Sequence, residues 1–183
     1  MEQQSVRIDL GPWQVRSFSL ADVPALAKHA DNPNVAATLR DRFPQPYTQA
    51  HAVEWIEHAT SQRPQRNFAI TSELELIGGI GLEFQHDVHA RSAEVGFWLA
   101  EPYWGRGIAT RALVALTEHA FANFELLRIY AMVFSSNEAS ARVLEKAGYE
   151  FEGRLRMSVV KRGRILDQLV YSRINRFQGT ERG

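Results

Sequence analysis

The chain contains no cysteine. That excludes disulfide frameworks, cysteine-ligated metal sites and thiolate nucleophiles. It also has no net charge, with 21 Lys and Arg against 21 Asp and Glu, so no global field recruits nucleic acid or a membrane surface. No apolar run approaches the roughly 20 residues of a membrane-spanning helix. The opening MEQQSVRIDL lacks the apolar stretch of a secretory signal. A cytoplasmic protein is therefore expected, by elimination. What is present is ordinary for a globular chain: 183 residues, 45% hydrophobic and 23% charged. Residues 1–183 fit one domain with a sizeable core, spanning about residues 13–176 with a frayed tail after Arg176.

Residues 13–18 alternate and predict a short strand. Ser19 offers an N-cap before a first helix, with Asp22 three residues on. Pro33, Pro44 and Pro46 break residues 31–47 into loop with a short helix. Thr48 caps a helix to Ala59, with Ala52, Trp55, Ile56 and Ala59 on one face. Strands are expected at 67–71, 76–84 and 94–100. Residues 107–121 give the clearest helix, striped by Ile108, Ala112, Leu113, Leu116 and Ala120. Residues 127–134 are apolar on both faces and predict a central strand. A helix over 137–147 should turn Ala139, Val143 and Ala147 inward. Residues 151–160 and 164–174 predict a hairpin around Lys161-Arg162-Gly163, read as a solvated turn. The expected fold is mixed α/β, with a sheet of about seven strands and helices on both faces.

Two strand-to-helix junctions carry most of the chemistry. The first is Tyr103-Trp104-Gly105-Arg106-Gly107-Ile108-Ala109-Thr110; the second runs from Ser136 through Asn137 and Ser140 to Tyr149. A glycine-rich turn into a helix leaves N–H groups unpaired at the positive end of the helix dipole, a ready phosphate site. A Rossmann fingerprint would need a third glycine at Thr110, and a P-loop would need a Lys-Ser/Thr pair. A plain tight turn is the structural alternative.

Together with Ile77-Gly78-Gly79-Ile80-Gly81-Leu82 and Ala93-Glu94-Val95-Gly96-Phe97-Trp98-Leu99, these motifs resemble the GNAT superfamily of N-acetyltransferases. The closest likeness is to the branch that includes the ribosomal-protein N-terminal acetyltransferases. The resemblance covers roughly residues 13–174. It implies a single-domain acyl-CoA N-acyltransferase fold that uses acetyl-CoA as co-substrate, with no metal. Gly105, Arg106, Gly107, Ala109 and Thr110 would face the coenzyme A pyrophosphate. Trp104 departs from the Gln/Arg that opens this loop in the family. The backbone of Phe97, Trp98 and Leu99 would pair with the pantetheine arm, and so would Asn137. Ser140 resembles the hydroxyl that protonates the departing thiolate; Tyr149 is the less favoured donor, and Lys146 reads as an exposed helix lysine.

An amine needs a proton acceptor before it can attack a thioester. Glu94 is the first choice and Glu83 the second. The acceptor is expected to meet the first helices, residues 31–47 and the last hairpin. It is a protein N-terminal amine, with a ribosomal protein among the candidates, or a small-molecule amine. Transfer of another acyl group, such as succinyl, and a non-catalytic acyl-CoA-binding module are the alternatives. A homodimer is compatible with the sequence; nucleic acid is not expected as a partner. His86-x-x-His89 and the pair His51 and His58 lack a carboxylate-rich companion motif, so no metal site is expected.

Overall fold

A computed structural model describes residues 6–176. Eight strands form one sheet: β1 (Arg7–Asp9), β2 (Gln14–Arg16), β3 (Asn67–Thr71), β4 (Leu76–Phe84), β5 (Ser92–Leu99), β6 (Arg128–Phe134), β7 (Glu150–Lys161) and β8 (Arg164–Ile174). Their order is β1-β2-β3-β4-β5-β6-β8-β7. Sequence patterning predicts about seven. The additional strand, β1, is three residues long with a single apolar side chain, Ile8, between two charges. That is too short to carry a period, and only pairing with β2 creates it.

Among the described residues, five α-helices cover the sheet. α1 (Val23–Ala30), α2 (Pro33–Ala37) and α3 (Gln49–Ser61) precede β3, α4 (Ile108–Asn123) joins β5 to β6, and α5 (Glu138–Lys146) follows β6. Among the described residues, no helix is long and apolar enough to cross a membrane. Two hydrophobic clusters form on opposite faces. One packs Leu113, Leu116 and Leu144 of α4 and α5 against Phe68, Ile80 and Ile129. The other packs Leu26 of α1 and Ile56 of α3 against Leu76 and Phe18.

The predicted stripe of α4 is buried as expected, and Thr117 joins it. In α3 only Ala52, Ile56 and Ala59 are buried; Trp55 is 37% exposed. In α5, Val143 is half-buried and Ala147, at the C-cap, is buried as expected; Ala141 and Leu144 join them on the inward face, and Ala139 is exposed. Leu144 is the large apolar side chain of this helix, and centring the buried face on it leaves only Ala139 of the expected stripe in solvent.

The cap predictions hold. Thr48 Oγ1 accepts from the His51 N–H, and the His51 ring accepts from the Thr48 N–H, closing a reciprocal cap at the start of α3. Ser19 and Asp22 form a similar box, but around the 3₁₀ turn Leu20–Asp22 that leads into α1 rather than at α1 itself, whose N-cap is Asp22. Gly79 in β4 permits a close approach: a Cβ there would lie 2.7 Å from Trp98 Nε1. The absent side chain lets the Trp98 ring rest on β4.

Candidate active site

The neighbours β5 and β6 run parallel, and they pair only at Ser92–Arg128, Ala93–Ile129 and Glu94–Tyr130. β5 continues five residues further, to Leu99, still paired with β4. The sheet therefore opens beyond Glu94, and backbone groups of residues 95–99 that face β6 have no strand partner. Gly96, inside this stretch, is exposed. One exception is at the end, where the Trp104 indole N–H donates to the Leu99 carbonyl at 2.7 Å. Trp104 thus ties the following turn to the strand.

The opening leads into a cleft of about 760 Å³. Gly96, Phe97 and Trp98 form one wall, Met132, Val133 and Phe134 the other, and Asn137 and Ser140 stand at its end. Asn137 caps α5: its Oδ1 accepts from the Ser140 N–H at 3.1 Å. Its Nδ2 donates to Ser140 Oγ at 2.9 Å. Ser140 Oγ is thereby held as an acceptor, and its own O–H proton stays available for donation. Both readings of Asn137, cap and site residue, are compatible with this geometry.

The turn residues Gly105, Arg106, Gly107, Ala109 and Thr110 do not line this cleft. They form the lead into α4, with Gly107 as its N-cap at φ +74° and Gly105 at φ +75°. A Cβ on either glycine would meet nothing within 4 Å, so open space adjoins the free N–H end of a 16-residue helix. The Arg106 guanidinium lies 5.4 Å from the centre of the Tyr103 ring.

Glu94 and Glu83 face each other across β4 and β5. Like charges in that position repel, and two arginines from the α2–α3 loop offset them. Arg40 is ion-paired with Glu94 and lies 3.9 Å from Glu83; Arg42 lies 3.2 Å from Glu83. Burial works against the charged Arg40, but its hydrogen bond to Glu94 and the charges of Glu94 and Glu83 outweigh it and raise its pKa. The Glu94 side chain is 14% exposed and that of Glu83 is 55% exposed. Between these arginines, Asp41 Oδ1 meets Lys161 Nζ at 2.6 Å. The Lys161 side chain is 9% exposed, so the expected solvated turn holds only for Arg162, Gly163 and Arg164. Residues 40–42 thus reach β4 and β5 on one side of the opening and β7 on the other. Nothing in the sequence pattern marked Arg40-Asp41-Arg42 beyond a charge cluster in a proline-rich loop.

Tyr149 is buried on the α4 face. Its hydroxyl is 2.7 Å from Thr117 Oγ1, and burial pushes its pKa up to about 12. It does not line the cleft. Among the described residues, no cluster of His, Asp and Glu is arranged to hold a metal.

The model of the acetyltransferase (GNAT) domain matches residues 14–150. The chain belongs to this family. Relatives of this GNAT chain include the uncharacterized N-acetyltransferase YoaA of Bacillus subtilis, 39% identical over 98 residues, 54% of this chain and 55% of that protein. The ribosomal-protein-serine acetyltransferase of Escherichia coli is 34% identical over 107 residues, 58% of this chain and 59% of that protein. The chain therefore spans little more than half the length of these two relatives. Among solved structures, Mycobacterium smegmatis RimJ in complex with CoA-disulfide superposes with a TM-score of 0.79 at 25% identity, over 93% of this chain and 85% of that one. The GNAT fold read from the motifs is thus present, and ribosomal-protein acetyltransferases are among its kin.

Proposed function

We propose that this GNAT protein transfers an acetyl group from acetyl-CoA to a primary amine by direct attack. The observation that carries the reading is the opening of β5 from β6 beyond Glu94, closed at its end by the Asn137–Ser140 pair. An extended arm carrying amides can pair with the free edge of residues 95–99 in place of the missing strand. The α4 N-terminus, with open space beside Gly105 and Gly107, fits a pyrophosphate. When bound, acetyl-CoA supplies an activated acyl carbon and a thiol leaving group.

The residues then divide the work. The free backbone N–H groups of Phe97 or Leu99 polarise the acyl oxygen and stabilise the oxyanion, whereas the Trp98 N–H points to Gly79 of β4. Ser140 gives its hydroxyl proton to the departing sulfur and recovers one from solvent. Glu94, ion-paired with Arg40, receives the ammonium proton through water. An α-amine is half neutral near pH ~8 without help. The rate should therefore track the ionisation of the acceptor amine. A protein N-terminal amine, including one on a ribosomal protein, and a small amine both fit this chemistry.

Coenzyme A should raise the melting temperature by preferential binding to the native state, and NAD should raise it less, having no pantetheine arm. Thiol release from acetyl-CoA, measured across an amine panel, tests turnover. An equal shift with NAD, or no amine-dependent thiol release, would refute the reading.

A further inference from the structure

Beyond the opening between β5 and β6, the cleft extends under α3 and the α2–α3 loop, away from Ser140. Aromatic rings line this end. Phe43 packs on Tyr47 with centroids 5.0 Å apart and meets Trp98 edge-on at 5.9 Å. From α3, Trp55 packs on His58 at 5.7 Å and stands edge-on to Phe18 at 6.4 Å. All six line the same cleft.

The charges there are mostly spent. Arg40 and Arg42 are paired with Glu94 and Glu83. The Arg66 guanidinium reaches instead over Phe84, which packs on Phe124 at the end of α4, on the other face of the sheet. Glu54 of α3 has no ion pair or hydrogen bond among the described residues, and it lines the cleft beside the two imidazoles His51 and His58. It is also close enough to Tyr47 to raise that phenol, which burial, the larger effect, already pushes up to about 12. The Tyr47 hydroxyl, which makes no hydrogen bond among the described residues, remains a donor at any physiological pH.

Resting on the acetyl-transfer reading above, we infer that this end of the cleft is an acceptor site for a singly charged primary amine bearing an aromatic ring. Aromatic walls supply edge-to-face and stacked contacts to a flat ring. One uncompensated carboxylate balances one ammonium. A polyamine would bring several positive charges to that single carboxylate. An amino sugar carries more hydroxyls than the Tyr47 hydroxyl and the two imidazoles can satisfy beside the apolar rings. A pocket of this volume, aromatic with a few polar groups, suits a small ligand. Trp55 and Glu54 are the specificity-determining residues: Trp55 for the ring, Glu54 for the charge.

Calorimetric titration of the coenzyme A complex tests this without turnover. The probes are 2-phenylethylamine, n-propylamine, spermidine and kanamycin. Saturable binding of 2-phenylethylamine, about ten-fold tighter than n-propylamine, is expected. Trp55→Ala should remove most of that preference. The ring is 37% exposed and packs on Phe18 and His58, so the melting temperature should fall by a few degrees while coenzyme A binding, measured alongside, is retained. Glu54→Gln should weaken both monoamines alike, about three-fold. Tighter binding of spermidine or kanamycin, or no saturable heat from 2-phenylethylamine, overturns the acceptor class and leaves acetyl transfer standing. Failure of coenzyme A itself to bind overturns both.

Discussion

Asn137 holds Ser140 by both ends of its amide: Oδ1 accepts from the Ser140 backbone at 3.1 Å and Nδ2 donates to the Ser140 hydroxyl at 2.9 Å. The helix cap and the proposed proton donor are thereby one device. Ser140→Ala should leave coenzyme A affinity nearly intact and lower kcat by about 10-fold to 100-fold, the low end for general acid catalysis. Asn137→Ala should also cost about 1 kcal/mol of stability through the lost cap. Steady-state kinetics at saturating acetyl-CoA and urea unfolding measure the two effects. Undiminished turnover in Ser140→Ala would reduce Ser140 to a capped surface serine.

Gly107 needs a different test from the one its sequence suggests. Valine at a loop-to-helix position costs little on propensity alone, but Gly107 is at φ +74°, where a β-branched side chain is strained. Gly107→Val should lower stability by about 1–3 kcal/mol as well as weaken coenzyme A binding. Asn tolerates this conformation and suits an N-cap. Gly107→Asn should therefore melt near the wild-type temperature and still bind coenzyme A less tightly, since its side chain enters the open space beside the helix end. Wild-type affinity in Gly107→Asn would move the pyrophosphate elsewhere.

Asp41 and Lys161 join the α2–α3 loop to β7 across 120 residues of sequence. Asp41→Ala leaves the ammonium of a nearly buried lysine unpaired. A fully buried pair loses about 3–5 kcal/mol on such a change. Asp41 is 69% exposed, so solvent reduces the cost to about 1–2 kcal/mol. Lys161→Met removes the charge and keeps the apolar stem, and it should cost less than Asp41→Ala. Chemical denaturation of both variants gives the order; the reverse order would show that the lysine stem, not the ion pair, holds the contact.

Tyr47 and Tyr149 should titrate late. Burial raises both phenols to about 12, against about 10 in an unfolded chain. The folded state then binds protons that the unfolded state releases, so stability is fully present below pH ~10 and declines as pH rises from there toward 12. Burial raises Tyr130 and Tyr171 as well, so tyrosinate absorbance should show Tyr47 and Tyr149 as the last phenols to ionise, together with unfolding. In Tyr149→Phe the alkaline decline should be shallower, at the cost of about 1 kcal/mol for the lost bond to Thr117. Normal ionisation of both phenols near pH 10 in the native protein would refute their burial.

Local patterns determined much of this protein from the sequence alone. The stripe of α4, the caps at Ser19, Thr48 and Asn137, and the apolar β6 each follow from residues a few positions apart, whose preferences survive in any compact fold. The glycine-rich turn and the Asn137–Ser140 spacing are local too, and so the GNAT family was legible in them. What needed the tertiary structure is what depends on distant partners. β1 exists because β2 is beside it. α5 turns on Leu144 because of what it packs against. Trp55 faces the cleft instead of the core. Glu94 could be picked out as a carboxylate near the site, but its pairing with Arg40 arises from a loop 54 residues away. The same holds for Asp41 and Lys161. Side-chain charge and ring identity are written in the chain, but which of them remain unpaired in the cleft is decided only when the fold brings the rest of their partners together.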